Sequence, residues 1–291
     1  MATLRKWLAL LTALLFLPCL TALAEEDIII NRISDPSISF AFPEGTALLE
    51  VYFPKINGCD AALIRHGEYS MLLDCGGNQW RETDALLRKL GVTELTYALN
   101  SHPDADHIGG FNHVLKTIPA GEFLLGFPED YEEGDELRFK VYSDLHELGV
   151  PFCQVTEGSE IAFGDVKVSV HQALASHLDR VNNKSVVVRF QLGERSILFP
   201  GDIQHDGQKC FVAAQTPLQS DIMKAPHHGY RRLDANYLAL VSPRLVVVTS
   251  GSNDAECVPQ LKENKIKYHY TEQGILHLAT DGKVWLVERV K

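Results

Sequence analysis

The chain of 291 residues is 45% hydrophobic and 22% charged, a composition typical of globular proteins rather than of disordered or fibrous ones. It has 38 acidic and 27 basic residues, which gives a formal net charge of -11 at pH 7. This acidity argues against a protein that holds nucleic acid mainly through a broad basic surface.

Residues 1–24 have the pattern of a secretory signal peptide. Arg5 and Lys6 precede an apolar run over residues 7–17, and a small-x-small cleavage motif ends at Ala24. The apolar run is short for a bilayer span, which needs about 20 residues. We therefore expect a secreted or otherwise extracytoplasmic protein with no stable membrane span after cleavage, the alternative being a retained anchor.

No repeat, low-complexity tract or linker divides residues 25–291, so a single domain is expected there. Short apolar runs predict strands at 48–53, 61–65, 71–73, 95–100, 166–170, 186–191, 196–199, 222–225, 245–249, 275–278 and 284–287. Helical periodicity is found over 80–90, 138–148 and 233–241. This mixture indicates an α/β (α+β) fold in which helices cover stacked sheets.

The segment SHPDADHIGG, residues 101–110, follows the predicted strand 95–100 directly. It places two imidazoles, His102 and His107, and two carboxylates, Asp104 and Asp106, on one turn between a strand and a helix. Burying so many polar groups requires compensation by charge or hydrogen bonds. Imidazole nitrogen and carboxylate oxygen together suit zinc or manganese. The alternative is a solvated loop in which an Asp caps the helix.

Two further groups follow predicted strands in the same way. Asp202 comes after strand 196–199, and His227 and His228 come after strand 222–225. Alone, an Asp after a Gly is usually a turn residue, and a pair of histidines is often on the surface. Three such groups at strand ends favour a shared site, because ligands in α/β proteins gather at one edge of the sheet.

Taken together, these motifs resemble those of metallo-β-lactamase-fold hydrolases, in particular the soluble hydrolase domain of ComEC-type competence proteins and their stand-alone relatives. The resemblance rests on LLDCGG at 72–77, the 101–110 motif, NNKS at 182–185, LFPGD at 198–202 and KAPHHG at 224–229. It extends over roughly 48–290. It implies a four-layer αββα sandwich with a metal site at one edge, between the two sheets.

The resemblance also implies a site for two divalent metal ions, Zn²⁺ or Mn²⁺. In it, His102 and Asp104 would bind one ion, Asp106 and His107 would bind the second, Asp202 would bridge or cap the pair, and either His227 or His228 would complete the set. Asp104 stands where the lactamase-type motif has a second histidine, which shifts the site toward oxygen ligands and manganese. The middle ligand is open between His177, Asp179 and Asn183.

The sequence departs from the family pattern at three places. INGCDA at 56–61 replaces a Val-Gly-x-Gly-Asp-Ala run, and Tyr230 replaces the usual Ser or Thr after His-His-Gly. A histidine expected near Asn253 is absent or replaced by Cys257. Substrate binding or the last proton transfer is therefore expected to differ from that of the family.

The expected activity is metal-assisted hydrolysis of a phosphodiester outside the membrane, with a metal-activated water as nucleophile. Asp106 would orient the nucleophile, and His228, if it is not a ligand, would donate a proton to the leaving group. The expected partner is a small or locally bound anionic substrate, nucleic acid included. Two alternatives stay open: hydrolysis of another exported ester, lactone or lactam, and a non-catalytic binding module that retains the fold.

Overall fold

The computed structural model describes residues 28–129, 136–173 and 181–290. Three predicted features lie outside the described residues: the signal peptide and two candidates for the middle ligand, His177 and Asp179. Within the described ranges, each helix is too short or too polar to cross a bilayer.

The described residues contain sixteen strands and seven α-helices. The strands are β1 (Ile29–Asn31), β2 (Leu49–Phe53), β3 (Ala61–His66), β4 (Tyr69–Cys75), β5 (Leu95–Asn100), β6 (Ala120–Leu125), β7 (Phe152–Gln154), β8 (Glu160–Ile161), β9 (Lys167–Gln172), β10 (Val186–Leu192), β11 (Arg195–Phe199), β12 (Ile222–Lys224), β13 (Leu245–Val248), β14 (Lys267–Tyr270), β15 (Leu276–Thr280) and β16 (Trp285–Arg289). The helices are α1 (Trp80–Lys89), α2 (Ala105–Ile108), α3 (Phe111–Val114), α4 (Leu137–Leu148), α5 (His205–Ala214), α6 (Ala235–Val241) and α7 (Cys257–Glu263).

The strands form two sheets. The first has nine strands in the order β1-β16-β15-β2-β3-β4-β5-β6-β7, and the second has seven in the order β14-β13-β12-β11-β10-β9-β8. Strands β4 to β7 pair in parallel in the first sheet, as do β11 to β14 in the second. The carboxyl ends of neighbouring parallel strands therefore meet at the same edge of each sheet.

Hydrophobic side chains on both faces of each sheet produce four layers. In β3, Ile64 packs into the cluster between the two sheets, whereas Leu63 packs on the opposite face, against the layer that contains α1, α3 and α4. In the second sheet Val247 points inward, and Val246 packs with α5, α6 and α7. Since successive strand residues point to opposite faces, burial on both sides requires a helical layer on each sheet. The predicted αββα sandwich is confirmed.

All eleven predicted strands are present, with boundaries shifted by a few residues. The predicted helix 138–148 is α4, which ends where Gly149 adopts a left-handed backbone with φ of 65°. The predicted helix 233–241 begins later, at Ala235, because the carboxylate of Asp234 accepts hydrogen bonds from the backbone N–H groups of Asn236 and Tyr237 and so caps the helix. The connection between β2 and β3 ends at Asp60, and the next residue, Ala61, pairs with Cys75 at the carboxyl end of β4.

Candidate metal centre

The turn after β5 is compact because its glycines allow the backbone of α2 and α3 to approach β4. A Cβ atom added at Gly110 would overlap the carbonyl oxygen of Cys75. At Gly109 it would lie 2.6 Å from the carbonyl oxygen of Ala105. The close approach directs His107 of α2 into the interior, where it is fully buried.

Asp74 holds this turn in place from the end of β4. Its carboxylate accepts hydrogen bonds from the side-chain amide of Asn100 at 2.9 Å, and from the backbone N–H and the hydroxyl of Ser101, both at 2.8 Å. It also accepts from His107 Nδ1 at 2.7 Å. Because Ser101 donates its hydroxyl proton to Asp74, its oxygen accepts from His102 Nδ1 at 3.0 Å. In their neutral form both histidines therefore carry the proton on Nδ1 and present Nε2 as an acceptor.

His228 is oriented in the same manner by Asp60. The Nδ1 atom of His228 lies 3.0 Å from Asp60 Oδ1, which also accepts from the Thr249 hydroxyl at 2.6 Å. Its Nε2 atom lies 3.0 Å from Asp106 Oδ2 and 3.2 Å from Asp202 Oδ2. A carboxylate on Nδ1 fixes the tautomer of a histidine and directs Nε2 toward a metal ion.

Four buried side chains converge at this point, with one potential ligand atom from each lying within 4.8 Å of the others: Asp60, His107, Asp202 and His228. The Nε2 atom of His107 is 3.3 Å from Asp202 Oδ1. The buried Nε2 atoms of His102 and His107 make no hydrogen bond. Neutral acceptor nitrogens that face carboxylate oxygens repel them unless a second proton or a metal cation lies between. The residues present therefore fit a divalent metal ion.

The pKa shifts of the clustered groups also favour a metal ion. Burial alone lowers the pKa of His107 and His228, but the carboxylates beside them, Asp202 foremost, outweigh it and raise both pKa values well above the usual range. Burial would raise the pKa of Asp202, yet the two histidines and Lys224 hold it well below its usual range. The raised pKa values show that the carboxylates favour a positive charge on the two histidines, and the same carboxylates would favour a metal cation in place of those protons.

Lys224, at the end of β12, is the cation that the structure itself places here. The residue is 2% exposed, and its ammonium pairs with Asp60 Oδ2 and lies 3.3 Å from Asp202 Oδ1. Both Asp60 oxygens are thus engaged, one by Lys224 and the other by Thr249 and His228. Asp60 consequently acts on His228 rather than presenting a free oxygen to the centre.

The other predicted ligands lie around this cluster or away from it. Asp104 and Asp106 lie at its rim, with side chains 32% and 41% exposed, and Asp104 Oδ2 is 3.5 Å from His102 Nε2. The neighbouring His227 and His228 both have left-handed backbones, with φ of 48° and 57°. His227 faces Gln204 at 3.5 Å and does not join the cluster.

Among the three candidates for the middle ligand, Asn183 is the one that the structure describes. Its Oδ1 accepts from the backbone N–H of Gln204 at 2.8 Å and of Gly207 at 3.2 Å, at the start of α5. Ser185 of the same motif accepts from the backbone N–H of Asp202 at 3.2 Å. The NNKS segment therefore supports the loop that carries Asp202, and the Asn183 oxygen is directed at a helix rather than at the cluster.

Sequence reasoning gave no role to Asp60, Asp74 or Lys224. The LLDCGG and KAPHHG motifs, which contain Asp74 and Lys224, carried the family resemblance, whereas INGCDA, which contains Asp60, was a departure from the family pattern that keeps its Asp-Ala ending. The acid in each of the two segments INGCDA and LLDCGG was the available signal. The structure also shows whether Cys257 could replace the histidine expected near Asn253. It is fully buried and packs against Gly229, and burial raises the pKa of its thiol to about 12, so it does not replace a proton-donating histidine.

Two cavities flank the cluster. One, of about 560 Å³, is lined by Asp106, Trp80, Arg81, Asn112 and His113 together with several glycines. The other, of about 410 Å³, is lined by His227, Gln204, His205, Arg231 and Arg232. Each cavity therefore joins a residue of a metal-ligand motif to exposed arginine side chains.

Comparison with known proteins agrees with this geometry. The sequence profile of the Metallo-beta-lactamase superfamily matches residues 55–242. ComE operon protein 3 of Bacillus subtilis is 23% identical over 231 residues, which cover 73% of this chain and 28% of that protein. Competence protein ComA of Neisseria gonorrhoeae is 28% identical over 228 residues, which cover 76% of this chain and 29% of ComA. This chain thus spans less than a third of these relatives.

Among solved structures, the metallo-beta-lactamase fold protein YhfI from Bacillus subtilis superposes with a TM-score of 0.54 at 12% identity, covering 79% of this chain and 99% of YhfI. That likeness concerns the fold. The profile match spans more than half of the chain, and the resemblance inferred from the motifs is confirmed. The chain belongs to the metallo-beta-lactamase superfamily of metal-dependent hydrolases, and its sequence is related to that of competence proteins.

Proposed function

We propose that this protein is an extracytoplasmic metal-dependent phosphodiesterase that acts on a small or locally bound anionic substrate, nucleic acid included. We infer that two divalent ions, Zn²⁺ or Mn²⁺, are its cofactors. The residues proposed to hold them are His102, Asp104, Asp106, His107, Asp202 and His228. Asp60 and Asp74 are proposed as positioning residues, each through the Nδ1 atom of one histidine.

The observation that carries this proposal is the common orientation of three buried imidazoles. His102, His107 and His228 each have Nδ1 paired with an oxygen acceptor, and His107 and His228 direct Nε2 at the Asp202 carboxylate. Without a metal ion, the Nε2 atoms of His107 and His228 face a carboxylate by binding a second proton, in line with their raised pKa values. In a hydrolytic metal centre the ion takes the place of that proton, with Nδ1 held as it is here.

A bound divalent ion supplies a water of lowered pKa and positive charge toward a phosphoryl oxygen. The protein's own groups complete the site. Asp106 is proposed to orient the nucleophile. Its carboxylate lies at the rim of the cluster and also lines the flanking cavity of about 560 Å³. His228 is proposed as a ligand rather than the proton donor, since its Nδ1 is held by Asp60 and its Nε2 points to the centre.

An anionic substrate is supported by the arginines beside the cluster. Arg81 lines one flanking cavity, and Arg231 and Arg232 line the other. Arg232 pairs with Glu263 at 2.9 Å and Glu256 also lines that cavity, so Arg81 and Arg231 are the side chains proposed to meet an anionic substrate. Local charge of this kind attracts phosphate esters without a basic surface that would bind long duplexes tightly.

The relatives named as competence proteins support nucleic acid as one substrate class. The leader pattern of residues 1–24 supports export. Among other substrates of the fold, lactams are disfavoured because Asp104 replaces a histidine of the lactamase-type motif. Uncharged esters and lactones differ from phosphodiesters in charge, so the arginines Arg81 and Arg231 favour the phosphodiester.

Hydrolysis of bis-p-nitrophenyl phosphate with added Mn²⁺ or Zn²⁺ tests the proposal. We expect His102→Ala and Asp202→Ala to lower turnover about 100-fold or more, because each removes a ligand. His146→Ala is the matched control, since this histidine is 64% exposed on α4 and outside the cluster. Full turnover in both ligand variants would contradict the mechanism. Well under one equivalent of bound metal after reconstitution would instead identify a binding module that retains the fold.

A further inference from the structure

The cavity beside Asp106 is lined by side chains that the proposed metal site does not use, although Trp80 also packs against the hydrophobic core. It has a volume of about 560 Å³ and is lined by Trp80, Arg81, Asn112 and His113, with Asp106 at its border with the metal cluster. Cavities of about 300–1,000 Å³ are of the size that holds small organic ligands. A group bound here would adjoin the residues proposed to act on a phosphodiester.

One wall of the cavity is aromatic. The rings of Trp80 and His113 are parallel, with an interplanar angle of 9° and centroids 4.3 Å apart. The guanidinium of Arg81 lies 4.6 Å from the centroid of the Trp80 ring. Trp80 is half-buried, while Arg81 and His113 are exposed. Each ring covers one face of the other, so a planar ligand ring would stack on an outer face of the pair, such as that of the exposed His113. The adjacent Arg81 favours a ligand that carries phosphate.

The cavity is also lined by a side-chain amide, that of Asn112, whose oxygen has no hydrogen-bond partner. Asn112 is 4% exposed, and its Oδ1 atom makes no hydrogen bond although it is buried. Leaving a buried polar atom unpaired costs free energy, so native structures rarely keep one without a reason. An amide both donates and accepts, which matches the ring N–H and exocyclic amine groups of a nucleobase.

Glycines keep the cavity next to the cluster. A Cβ atom at Gly77 would lie 2.6 Å from the Cα atom of Asp106, and one at Gly58 would lie 2.6 Å from the hydroxyl of Tyr230. The loop that leads into α1 therefore packs directly on α2. This contact brings Trp80 to the same side of the molecule as Asp106.

We propose that this cavity is a nucleobase subsite, in which a base packs against the Trp80–His113 wall and its N–H groups pair with Asn112. The inference rests on the proposed phosphodiesterase function and specifies its substrate class: a nucleotide or a short single strand, with the base held beside the phosphate that is attacked.

Binding of adenosine 5′-monophosphate, followed by tryptophan fluorescence, tests the subsite without any turnover. Trp285 is fully buried, so a Trp7→Phe background leaves Trp80 as the accessible reporter. Ribose 5-phosphate is the matched ligand without a base. We expect saturable quenching by adenosine 5′-monophosphate and an affinity about tenfold weaker or worse for ribose 5-phosphate.

Two variants assign the effect to this cavity. Asn112→Leu removes the amide at similar volume, and His113→Ala removes an exposed ring with little risk to folding. Each is expected to weaken binding of adenosine 5′-monophosphate about tenfold. Phe139→Leu is the matched control, because Phe139 is an exposed aromatic residue, 54% accessible, that does not line the cavity.

Equal binding of the two ligands, or less than a twofold effect of both variants, would overturn the subsite. If bis-p-nitrophenyl phosphate is hydrolysed in that case, the proposed function stands and the subsite alone fails. If adenosine 5′-monophosphate binds selectively but no phosphodiester is hydrolysed, the subsite stands and the proposed function fails.

Discussion

At the scale of single residues, the centre is organised by pairs of a carboxylate and an imidazole. Asp74 accepts from His107 Nδ1 at 2.7 Å, and Asp60 lies 3.0 Å from His228 Nδ1. Each pair fixes a tautomer and an orientation, which leaves Nε2 available. The outer carboxylates are therefore as necessary to the geometry of the centre as the histidines that they hold.

Asp74→Asn tests this role. The amide has one oxygen where the carboxylate has two, so it cannot satisfy all four donors that Asp74 accepts from, and His107 is expected to lose its fixed orientation. We expect metal affinity to fall about 10- to 100-fold, measured by competition with a chelator. The exposed Asp206→Asn is the control. An unchanged affinity in Asp74→Asn would show that His107 is oriented by other contacts.

Lys224→Met tests the charge balance of the metal-free centre. Removal of the ammonium leaves the buried carboxylates of Asp60 and Asp202 without their cation. We expect the free energy of unfolding to fall by about 3–5 kcal/mol in chelator-treated protein, and by less when Mn²⁺ is present. Urea unfolding in both conditions measures this. An equal loss of unfolding free energy with and without Mn²⁺ would show that Lys224 and the metal ion do not balance the same carboxylates.

At the scale of elements, turns after strands determine where the ligands lie. The α2–α3 segment approaches β4 so closely that Gly110 has no room for a side chain, since a Cβ atom would overlap the Cys75 carbonyl. Gly149, at the end of α4, has open space around it and needs only its left-handed backbone. Glycine is therefore required at the two positions for different reasons.

Alanine substitutions separate these two reasons. Gly149→Ala is expected to cost about 1 kcal/mol of unfolding free energy from backbone strain, with metal affinity unchanged. Gly110→Ala must displace the α2–α3 turn, so we expect a loss of about 3 kcal/mol together with weaker metal binding, because His107 moves with α2. Urea unfolding and a metal titration of both variants provide the comparison. Equal effects would show that the Cys75 contact relaxes freely.

At the scale of the whole molecule, the two sheets are joined at their edges as well as through the core between them. Asn31 on β1 of the first sheet and His269 on β14 of the second form a buried hydrogen-bonded pair, with the Asn31 side-chain nitrogen 2.9 Å from His269 Nε2. Burial, with Arg289 and Lys267 nearby, lowers the pKa of His269 to about 4. The pair is therefore held together by the neutral imidazole.

This pair predicts a loss of stability in acid. Between pH 6.5 and pH 4 the unfolded chain binds a proton at His269 that the folded chain does not, so the free energy of unfolding falls as the pH falls through this window, by up to about 3 kcal/mol. Urea unfolding at several pH values should show a shallower slope for His269→Gln than for the parent protein. The exposed His205→Gln is the control. Identical slopes in His269→Gln and the parent would contradict the assignment.

Much of the fold followed from local patterns. The continuous apolar runs of β3 and β13, and the apolar residues of β10 that alternate with Arg189 and Gln191, are visible in the sequence, so these strands were predicted. Strand β6 was not predicted, because it begins with Ala120 and Gly121, and only its second half is strongly apolar. Short edge strands such as β8, with two residues, have too few positions to show a period.

The sequence by itself determined which residues stand at strand ends, because His102, Asp106, Asp202 and His228 all belong to short motifs directly after apolar runs. Only the tertiary structure separated His228 from His227, since a left-handed turn sends adjacent side chains to different sides. Asp60 and His228 are 168 positions apart, yet their side chains meet. Such pairings depend on the packing of two sheets, and local spacing does not encode them.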